Sequence, residues 1–408
     1  MVYENKKVSV IGLGYIGLPT AALLASNGYS VVGVDVSEHA VTTINQGKVH
    51  IVEPGLDAFL RSAVAAGRLQ AFTEPQPADI YIICVPTPFH EGGVIPQPNI
   101  EYVLAATHSI VPFVKAGDLV ILESTSPVGT TQQIRAVLHD AGVDVDAVHI
   151  AYCPERVLPG KIMIELVEND RIVGGITPKA TRTVAKFYRS FVRGAVLETD
   201  AKTAEMCKLT ENSFRDVNIG FANELSLICD KEGINVWDLI GLANRHPRVN
   251  ILQPGTGVGG HCIAVDPWFI VARDEVNARL IRTAREVNRH KTEWVTDKIK
   301  LAAADANART GRTPKIACLG LAFKPDIDDL RESPALEVLK ALIGQGYDVV
   351  AVEPNIESHT VLPLLDLTAA VEQADVIAVL VKHREFVQPA NRQKLLDLSA
   401  LDFCGALT

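Results

Sequence analysis

A strand, a glycine-bearing turn, a helix and a second strand that ends in an acidic residue occur twice in this chain, once near each end. Residues 7–14 read KVSVIGLG and residues 28–35 read GYSVVGVD, and the later segments 315–322 and 346–353 repeat them as KIACLGLA and GYDVVAVE. A β-α-β unit with such a turn is the first half of a nucleotide-binding, doubly wound sheet. The duplication therefore predicts two Rossmann-like α/β domains.

The first copy carries the complete GxGxxG pattern, and 23 positions separate Gly12 from Asp35. Gly14 lets the backbone approach a pyrophosphate at a helix N-terminus, and Gly17 allows close helix packing. An acid at this distance binds ribose hydroxyls and repels a 2′-phosphate, so the cofactor is predicted to be NAD. The predicted cofactor contacts in the turn are Gly12, Gly14, Tyr15, Ile16 and Gly17.

The second copy has lost this pattern. Ala322 replaces the second glycine, and 33 positions separate Gly320 from Glu353, so ten extra residues lie in or after the turn. The insertion contains Lys324 and Arg331, two cations suited to a phosphate. It therefore predicts a domain for a different phosphorylated ligand. The alternative is a repeat that is merely structural.

Three further strands are predicted at residues 79–85, 118–123 and 149–152. In a doubly wound sheet, ligands bind beside the loops that follow the strands. Those loops contain Pro86, Thr87, Thr125 and Glu155, which are therefore candidate site residues. An alternative role for Thr125 is to cap a helix that begins near Gly129.

The middle of the chain is helical in pattern. Residues 203–232 form the longest predicted helix, which is long enough to bridge domains and form a subunit interface, and residues 278–304 form another. Lys208 and Asn212 lie one turn apart on the first helix and predict an ammonium and a carboxamide aimed at a reacting oxygen. The alternative is a surface lysine paired with a glutamate of the same helix.

A glycine-dense stretch, residues 255–261, leads directly into Cys262, and Asp266 follows four residues later. This arrangement predicts a thiol at the start of a helix, where the partial positive charge of the backbone favours the nucleophilic thiolate. The alternative is a small buried hydrophobic residue in a loop. Arginines at positions 245 and 248 lie close upstream and suit a phosphate.

Composition excludes several classes of protein. The net charge of −9 argues against nucleic acid or an anionic membrane as the main partner. No apolar run approaches the ~18 residues of a membrane-spanning helix, and residues 1–7 lead straight into a strand, not into a secretory signal, so the predicted location is the cytoplasm. Seven cysteines without CxxC pairs predict neither disulfides nor a structural metal site.

Six motifs carry a family resemblance, namely residues 12–17, 124–127, 154–160, 205–212, 259–262 and 323–334. Together they resemble the UDP-glucose/GDP-mannose dehydrogenase family over essentially the whole chain. The resemblance implies two Rossmann-like doubly wound domains joined by a central helical domain with one long helix. The implied boundaries are 1–200 for NAD binding, 201–308 for the central dimerisation domain with the catalytic cysteine, and 309–408 for UDP-sugar binding.

The family chemistry is a four-electron oxidation at C6 of a nucleotide sugar, through a thiohemiacetal and a thioester on the cysteine. The resemblance assigns catalytic roles to Cys262, Lys208, Asn212, Asp266, Glu155 and Thr125. It assigns substrate contacts to Glu155, Arg156, Val157, Leu158, Lys208, Asn212, Arg215, His246, Arg248, Asn250, Gly259, Phe323 and Lys324. Cofactor contacts beyond the glycine turn are Asp35, Pro86, Thr87, Thr125 and Arg331. It also implies a homodimer, with a tetramer as the alternative.

Ala264 and Val265 stand where UDP-glucose-specific members of the family carry Pro-Lys. Together with residues 246–255 and 265–269, this departure resembles the members of the family that oxidise UDP-N-acetyl-D-mannosamine, whose uronate enters surface polysaccharides such as enterobacterial common antigen. We hypothesise that the acetamido group of this sugar explains the missing lysine. UDP-N-acetyl-D-glucosamine remains open. So do two other classes of protein: a simple β-hydroxyacid dehydrogenase, which needs neither Cys262 nor a third domain, and a non-catalytic nucleotide-sugar-binding protein.

Overall fold

The computed structural model describes residues 6–90, 92–93, 95–359 and 363–408. The first five residues, part of the segment that argues against a secretory signal, lie outside it. The chain divides into two compact units, Met1–Thr210 and Glu211–Thr408. No helix in the described ranges is long and apolar enough to cross a membrane.

The first unit is built on one large sheet. Its described strands are β1 (Lys7–Ile11), β2 (Ser30–Val34), β3 (Leu69–Phe72), β4 (Ile80–Ile83), β5 (Leu119–Leu122), β6 (His149–Tyr152), β7 (Arg171–Gly175) and β8 (Val196–Asp200). They lie in the order β3-β2-β1-β4-β5-β6-β7-β8, and every pairing is parallel except the antiparallel pair β6 and β7. Chain order reverses between β1 and β4, and this switch point is where such sheets bind ligands.

Helices cover both faces of this sheet. They are α1 (Gly17–Ser26), α2 (Glu38–Asn45), α3 (Leu56–Ala65), α4 (Glu101–Ile110), α5 (Thr130–Asp140), α6 (Ile162–Glu168) and α7 (Pro178–Tyr188). Two apolar clusters, one on each face, form the core. Every residue of β4, β5 and β6 is buried, as expected for parallel strands between two helical layers.

The second unit begins inside a long helix, α8 (Ala201–Glu232), which runs across the division of the chain. Further helices are α9 (Val236–Ala243), α10 (Asp266–Arg273) and α11 (Arg279–Thr310). A smaller parallel sheet follows, with strands β9 (Lys315–Leu319), β10 (Asp348–Val352), β11 (Val376–Val379) and β12 (Leu401–Asp402) in the order β10-β9-β11-β12. Its helices are α12 (Pro334–Gly344), α13 (Leu367–Gln373) and α14 (Pro389–Asp397).

The predicted fold class is confirmed, because two sheets of the nucleotide-binding type, parallel except for the pair β6 and β7, come before and after a helical middle that contains the long helix α8. The predicted strands begin and end within two residues of the observed ones. The second long helix was predicted too short, since α11 continues from residue 304 to Thr310. Apart from buried Ala306, residues 305–310 are exposed and none is a large apolar residue, so hydrophobic periodicity gives no signal for them.

Candidate active site

Two glycines of the first turn are required by close backbone contacts. Gly12 has φ +90°, and a Cβ there would lie 2.6 Å from the carbonyl oxygen of Cys84. A Cβ on Gly17 would lie only 1.8 Å from the carbonyl oxygen of Gly12. Side chains at either position would therefore force β1, the turn and α1 apart.

The third glycine faces open space. Gly14 is exposed, and a Cβ built on it meets no atom within 4 Å. Tyr15 beside it is exposed as well, and Ile16 precedes the first residue of α1 without a side-chain hydrogen bond to cap the helix. The N–H groups of a helix start without a side-chain cap attract anions. This turn therefore fits the pyrophosphate of NAD.

Asp35 lies at the end of β2 and is half-buried. Its Oδ2 accepts a hydrogen bond from the backbone N–H of Leu13 at 2.9 Å, and its Oδ1 accepts one from Ser37 at 2.9 Å. A carboxylate has about four acceptor positions. The acid is thus fixed beside the glycine turn and keeps acceptor capacity for ribose hydroxyls, the role predicted for it.

Thr87 and Thr125 connect the loops after β4 and β5. The hydroxyl of Thr87 donates to the carbonyl oxygen of Thr125 at 2.6 Å, so the loop of Pro86 and Thr87 is bound to the next one. The alternative role of Thr125 as a helix cap is wrong. The residue that caps α5 is Gly129, which offers no side chain to the helix.

Glu205 of α8 binds the start of α5 instead. Its carboxylate accepts hydrogen bonds from the backbone N–H groups of Gly129, at 2.6 Å, and Thr131, at 2.8 Å. Burial raises the pKa of Glu205, although the hydrogen bonds from Thr131 and Gly129 oppose the shift. Glu205 is therefore not a surface partner for Lys208, which is half-buried and makes no ion pair with the described residues.

Glu155, which follows β6, is buried and paired with Arg171, a partner that was not predicted from the sequence. Arg171 of β7, 2% exposed, donates from Nη1 to Glu155 Oε2 at 2.7 Å, and the backbone N–H of Arg156 donates to Oε1 at 2.7 Å. The ion pair orients Glu155 as a carboxylate. The neighbouring Cys153 is fully buried, and desolvation raises the pKa of its thiol to about 12, so it remains a packing residue.

Cys262 lies in a turn and not at the first residue of a helix, which corrects the predicted position. Its carbonyl oxygen accepts a hydrogen bond from the N–H of Asp266 at 2.8 Å, and α10 begins only at Asp266. Proline is favoured in the first turn of a helix, so Pro267 sets this start and leaves the cysteine one turn ahead of it. The Cys262 residue is exposed.

Asp266 is nearly inaccessible, at 2% exposure, and accepts a short hydrogen bond from the side-chain amide of Asn212. This hydrogen bond lies within the second unit and places Asn212, one of the two predicted site residues of α8, beside the segment that carries Cys262. Lys208 lies one turn earlier on α8, but it belongs to the first unit. The predicted meeting of Lys208, Glu155 and Thr125 with Cys262 stays a prediction.

The glycines before Cys262 allow the loop after β9 to pack against them. A Cβ on Gly259 would lie 2.3 Å from the carbonyl oxygen of Glu332, and one on Gly260, where φ is +84°, would lie 2.7 Å from the ring of Phe323. The insertion of the second repeat therefore lies against the cysteine segment. It carries Lys324, which is exposed.

Arg331, at the other end of the insertion, forms a forked ion pair with Asp329 at 2.6 and 2.9 Å. The pKa of His261, next to the cysteine, is lowered by burial and by the charge of Arg331, while Asp329 and Glu332 oppose the shift. The neutral form of this imidazole is therefore favoured near Cys262. Neither the ion pair of Arg331 nor its effect on His261 was predicted from the sequence.

The predicted substrate segment of residues 246–250 follows α9 on the surface. His246, Arg248 and Asn250 are all exposed. The side chain of Asn244 closes the loop by bonding both the N–H and the carbonyl oxygen of Ile251, at 2.7 and 3.0 Å. The segment is thus a short, closed loop that presents its polar side chains to solvent.

A buried polar chain, also missed from the sequence, supports the start of the glycine stretch. Arg285 pairs with Asp216 at 2.7 Å, and Asn288 donates to the same carboxylate at 2.8 Å. Asn223 then donates to Asn288 at 2.8 Å and accepts from the N–H of Gly255 at 2.9 Å. The side chains join α8, α11 and the turn that leads to the cysteine. The sequence did contain a signal for this polar chain, because Asp216 and Asn223 lie seven residues apart on α8.

None of the seven cysteines forms a disulfide, and the described residues contain no cluster of three or more side chains suited to a metal ion.

Models of the UDP-glucose/GDP-mannose dehydrogenase family match three successive segments of the chain. The NAD binding domain matches residues 6–192, the central domain residues 202–290 and the UDP binding domain residues 317–401. The matches follow the order of the family and cover most of the chain.

Known relatives match over nearly the full length. The UDP-N-acetyl-D-mannosamine dehydrogenase of Escherichia coli K12 is 55% identical, over 93% of this chain and 94% of the relative. An NDP-N-acetyl-D-galactosaminuronic acid dehydrogenase of Ralstonia nicotianae is 56% identical, over 94% and 92%. A solved UDP-D-ManNAc dehydrogenase from Pyrococcus horikoshii has a TM-score of 0.87 at 37% identity, over 98% of this chain and 96% of that chain.

Proposed function

The chain belongs to the UDP-glucose/GDP-mannose dehydrogenase family, and from this membership we propose that it oxidises UDP-N-acetyl-D-mannosamine to UDP-N-acetyl-D-mannosaminuronate. The observation that carries the proposal is the Cys262 segment, in which an exposed thiol precedes the buried pair Asp266 and Asn212. A hydride-transfer enzyme without covalent chemistry has no need of that thiol.

Bound NAD supplies the hydride acceptor for both oxidation steps. Gly12, Gly14 and Gly17 shape the turn that would hold its pyrophosphate, and Asp35 would bind its adenosine ribose. The carboxylate of Asp35 at the end of β2 supports NAD over NADP, because a 2′-phosphate would meet its negative charge.

Cys262 acts as the nucleophile. After the first hydride leaves C6, the thiolate adds to the aldehyde carbon and forms a thiohemiacetal. Loss of the second hydride gives a thioester, and water then attacks its carbonyl carbon, releasing the uronate and the thiolate. Lys208 and Asn212 stabilise the developing oxyanions, and pre-placed donors of this kind lower such barriers most.

Glu155, Thr125 and Asp266 handle protons and water. We expect Glu155 to act as the base, and its ion pair with Arg171 holds the carboxylate in one orientation. Asp266 and Thr125 would position the hydrolytic water. The hydrogen bond from Asn212 holds the carboxylate of Asp266 in place for that role.

The substrate contacts divide between the two units. The UDP moiety would be bound by Phe323 and Lys324 from the insertion of the second repeat, with Gly259 beside them. The remaining predicted contacts are Arg156, Val157, Leu158, Arg215, His246, Arg248 and Asn250. Arg331 is proposed to contact the cofactor after its ion pair with Asp329 breaks. We retain the predicted domain boundaries, 1–200, 201–308 and 309–408, and a cytoplasmic location within this proposal.

A homodimer through α8 forms part of the proposal. Phe214, Phe221 and Ile228 lie seven residues apart and are 67%, 51% and 54% exposed, so one face of α8 presents large apolar side chains to solvent. Replacing Phe214 and Phe221 by glutamate should yield monomers in light scattering. Replacing exposed Tyr102 by glutamate should leave the dimer intact.

The nature of the sugar is the next question, because a relative of 56% identity is named for a galactosaminuronic acid. The experiment compares initial rates of NADH formation on UDP-N-acetylmannosamine, UDP-N-acetylglucosamine, UDP-N-acetylgalactosamine and UDP-glucose. The proposal requires the first to be fastest, with two NADH formed per sugar. Equal rates on UDP-glucose would contradict it.

Cys262→Ser provides the control for the chemistry. This variant should lose the full oxidation while it still binds NAD. A variant that retains two NADH per sugar would favour a simple β-hydroxyacid dehydrogenase. Binding of both ligands by the wild-type protein without any turnover would favour a nucleotide-sugar-binding protein.

A further inference from the structure

A cavity of about 360 Å³ lies inside the second unit, between the end of α8, the start of α9, α11 and the β12 segment. Its lining includes two of the three tryptophans of the chain, Trp237 and Trp294. None of the residues given a catalytic or binding role above lines it. Pockets that hold small ligands start at about 300 Å³, so the volume is sufficient for one.

Lys291 is the central polar group of this cavity. It is 3% exposed, and its Nζ lies 3.9 Å from the centroid of the Trp294 ring. One N–H donates to Ser226 Oγ at 2.8 Å, and the hydroxyl proton of Ser226 goes in turn to the carbonyl oxygen of Asn223. An ammonium has three N–H donors. Within the described chain the remaining two have no acceptor.

A second donor in the same lining lacks an acceptor. The indole Nε1 of Trp237 is buried and makes no hydrogen bond with the described residues. Buried donors without acceptors are rare in folded proteins and indicate a missing partner. Since both Lys291 and Trp237 are donors, the missing partner is an acceptor.

The acidic groups around the cavity do not supply it. Asp230 of α8 pairs with Lys298 at 2.6 Å. Asp402 of β12 accepts three backbone N–H groups, from residues 404, 406 and 407, at 2.7 to 3.1 Å. Asp305 of α11 is exposed to solvent. An anion that enters the cavity therefore meets a lysine without a direct carboxylate partner.

The walls indicate what the rest of the ligand is like. The ring of Trp294 packs edge-on against Phe403 with centroids 6.0 Å apart, and Ile234, Val236 and Leu301 add aliphatic surface. We propose that this cavity is a binding site for a small organic monocarboxylate with a flat apolar body. Its carboxylate would accept from Lys291 and Trp237, and its body would lie against the Trp294 face of the cavity.

Binding should depend on pH through Lys291. The pKa of its ammonium group is lowered to about 7, chiefly by burial; the charge of Asp230 opposes this shift, and the charge of Lys298 contributes to it. The charged form binds the carboxylate and predominates below that pKa. Affinity should therefore fall about tenfold between pH 6 and pH 8.

Benzoate is the probe, titrated into the full-length protein by calorimetry and by tryptophan fluorescence. Benzamide is the neutral match, and inorganic phosphate is an anion without an apolar body. Benzoate should bind at least about tenfold more tightly than either, since hydrogen bonds to charged groups are worth that much or more.

Lys291→Met keeps the side-chain length and removes the charge, and it should weaken benzoate about 10- to 100-fold and abolish the pH dependence. Trp237→Phe removes the second donor and should weaken benzoate binding less than Lys291→Met does. Lys300→Met, on the same helix but outside the cavity lining, is the matched control and should retain the pH dependence.

Three results would overturn the proposal: benzamide or phosphate binding as tightly as benzoate, unchanged benzoate affinity in a folded Lys291→Met protein, or no binding of benzoate at all. Circular dichroism of each variant establishes that it is folded.

Discussion

Gly12 and Gly320 occupy the same place in the two nucleotide-binding repeats. Both have φ +90°, and each donates its backbone N–H at 2.8 Å to the carbonyl oxygen of the last residue of the neighbouring strand, Val34 or Val352. The backbone after β1 and the backbone after β9 therefore start along the same path. The repeats diverge beyond this glycine.

The helix starts differ first. The start of α1 has no side-chain cap and no acid in its first turn, and Gly14 before it is exposed. The start of α12 is closed: Ser333 caps it through the N–H of Leu336, and Pro334 removes one donor. Buried Ala322 stands where Gly14 stands in the first copy.

The acids differ as well. Asp35 is half-buried, whereas Glu353 is 4% exposed and hydrogen-bonded on every side. Leu321 and Ala322 donate their backbone N–H groups to Glu353, and His383 Nε2 lies 3.0 Å from it. The N–H of Asp326 can only donate, so Nδ1 of His383 accepts that bond and Nε2 carries the proton given to Glu353.

The two repeats therefore use the same scaffold in different ways. The first repeat leaves a helix start open, which suits the pyrophosphate of a dinucleotide. The second repeat uses its helix start and its acid to hold its own loops together. We therefore propose that side chains of the insertion, such as Lys324, bind its ligand, and that the helix start does not.

The largest effect is expected from Gly17→Ala. The added methyl would meet the carbonyl oxygen of Gly12 inside the narrow turn, so the free energy of unfolding should fall by about 3 kcal/mol or more. Urea unfolding measures this. Gly344→Ala at the end of α12 is the control, because a Cβ there meets no atom within 4 Å and alanine favours the helix. Equal stabilities would show that the first turn is not tightly packed.

Glu353→Gln tests the closed acid of the second repeat. Burial alone would raise the pKa of Glu353, but hydrogen bonds from His383, Leu321 and Ala322 outweigh it and lower the pKa from 4.5 to about 2. The resulting stability is complete above pH 4.5 and is lost as the pH falls towards 2. It amounts to about 3 kcal/mol. Wild type should therefore lose this much more than the variant over that range in acid unfolding; parallel curves would contradict the assignment.

Ser333→Ala sharpens the difference between the helix starts. The hydroxyl caps α12 and also donates to the buried carbonyl oxygen of Leu321 at 2.6 Å, so its loss should cost about 1 to 2 kcal/mol. Ser37→Ala, which removes the exposed cap of α2, should cost about 0.5 to 1 kcal/mol. Thermal unfolding compares the two variants, and the reverse order would mean that α12 does not depend on its cap.

Much of this architecture was predictable because local chemistry sets it. Apolar β-branched runs between turn residues gave β1, β2, β9 and β10, and the spacing of glycines gave the turn before α1. The predicted position of Cys262 was wrong because Pro267, which ends up in the first turn, moves the helix start downstream.

Other parts depend on contacts between residues that are distant in sequence. Arg171 and Glu155 lie 16 residues apart, and Arg285 and Asp216 lie 69 apart, with no motif that links them. The partner of Glu353 was equally hidden, since His383 follows a different strand. Which buried charges pair is decided by tertiary packing, and a single sequence does not record it.

Separate titrations of NAD and UDP into Gly14→Ala and Lys324→Met test most directly whether the two repeats bind different ligands by different means. A methyl at position 14 would displace the pyrophosphate, and loss of the lysine would remove a phosphate contact. Each should weaken one ligand about tenfold or more. We predict that Gly14→Ala loses affinity for NAD alone and Lys324→Met loses affinity for UDP alone. Losses of both ligands in either variant, or the opposite assignment, would contradict the account.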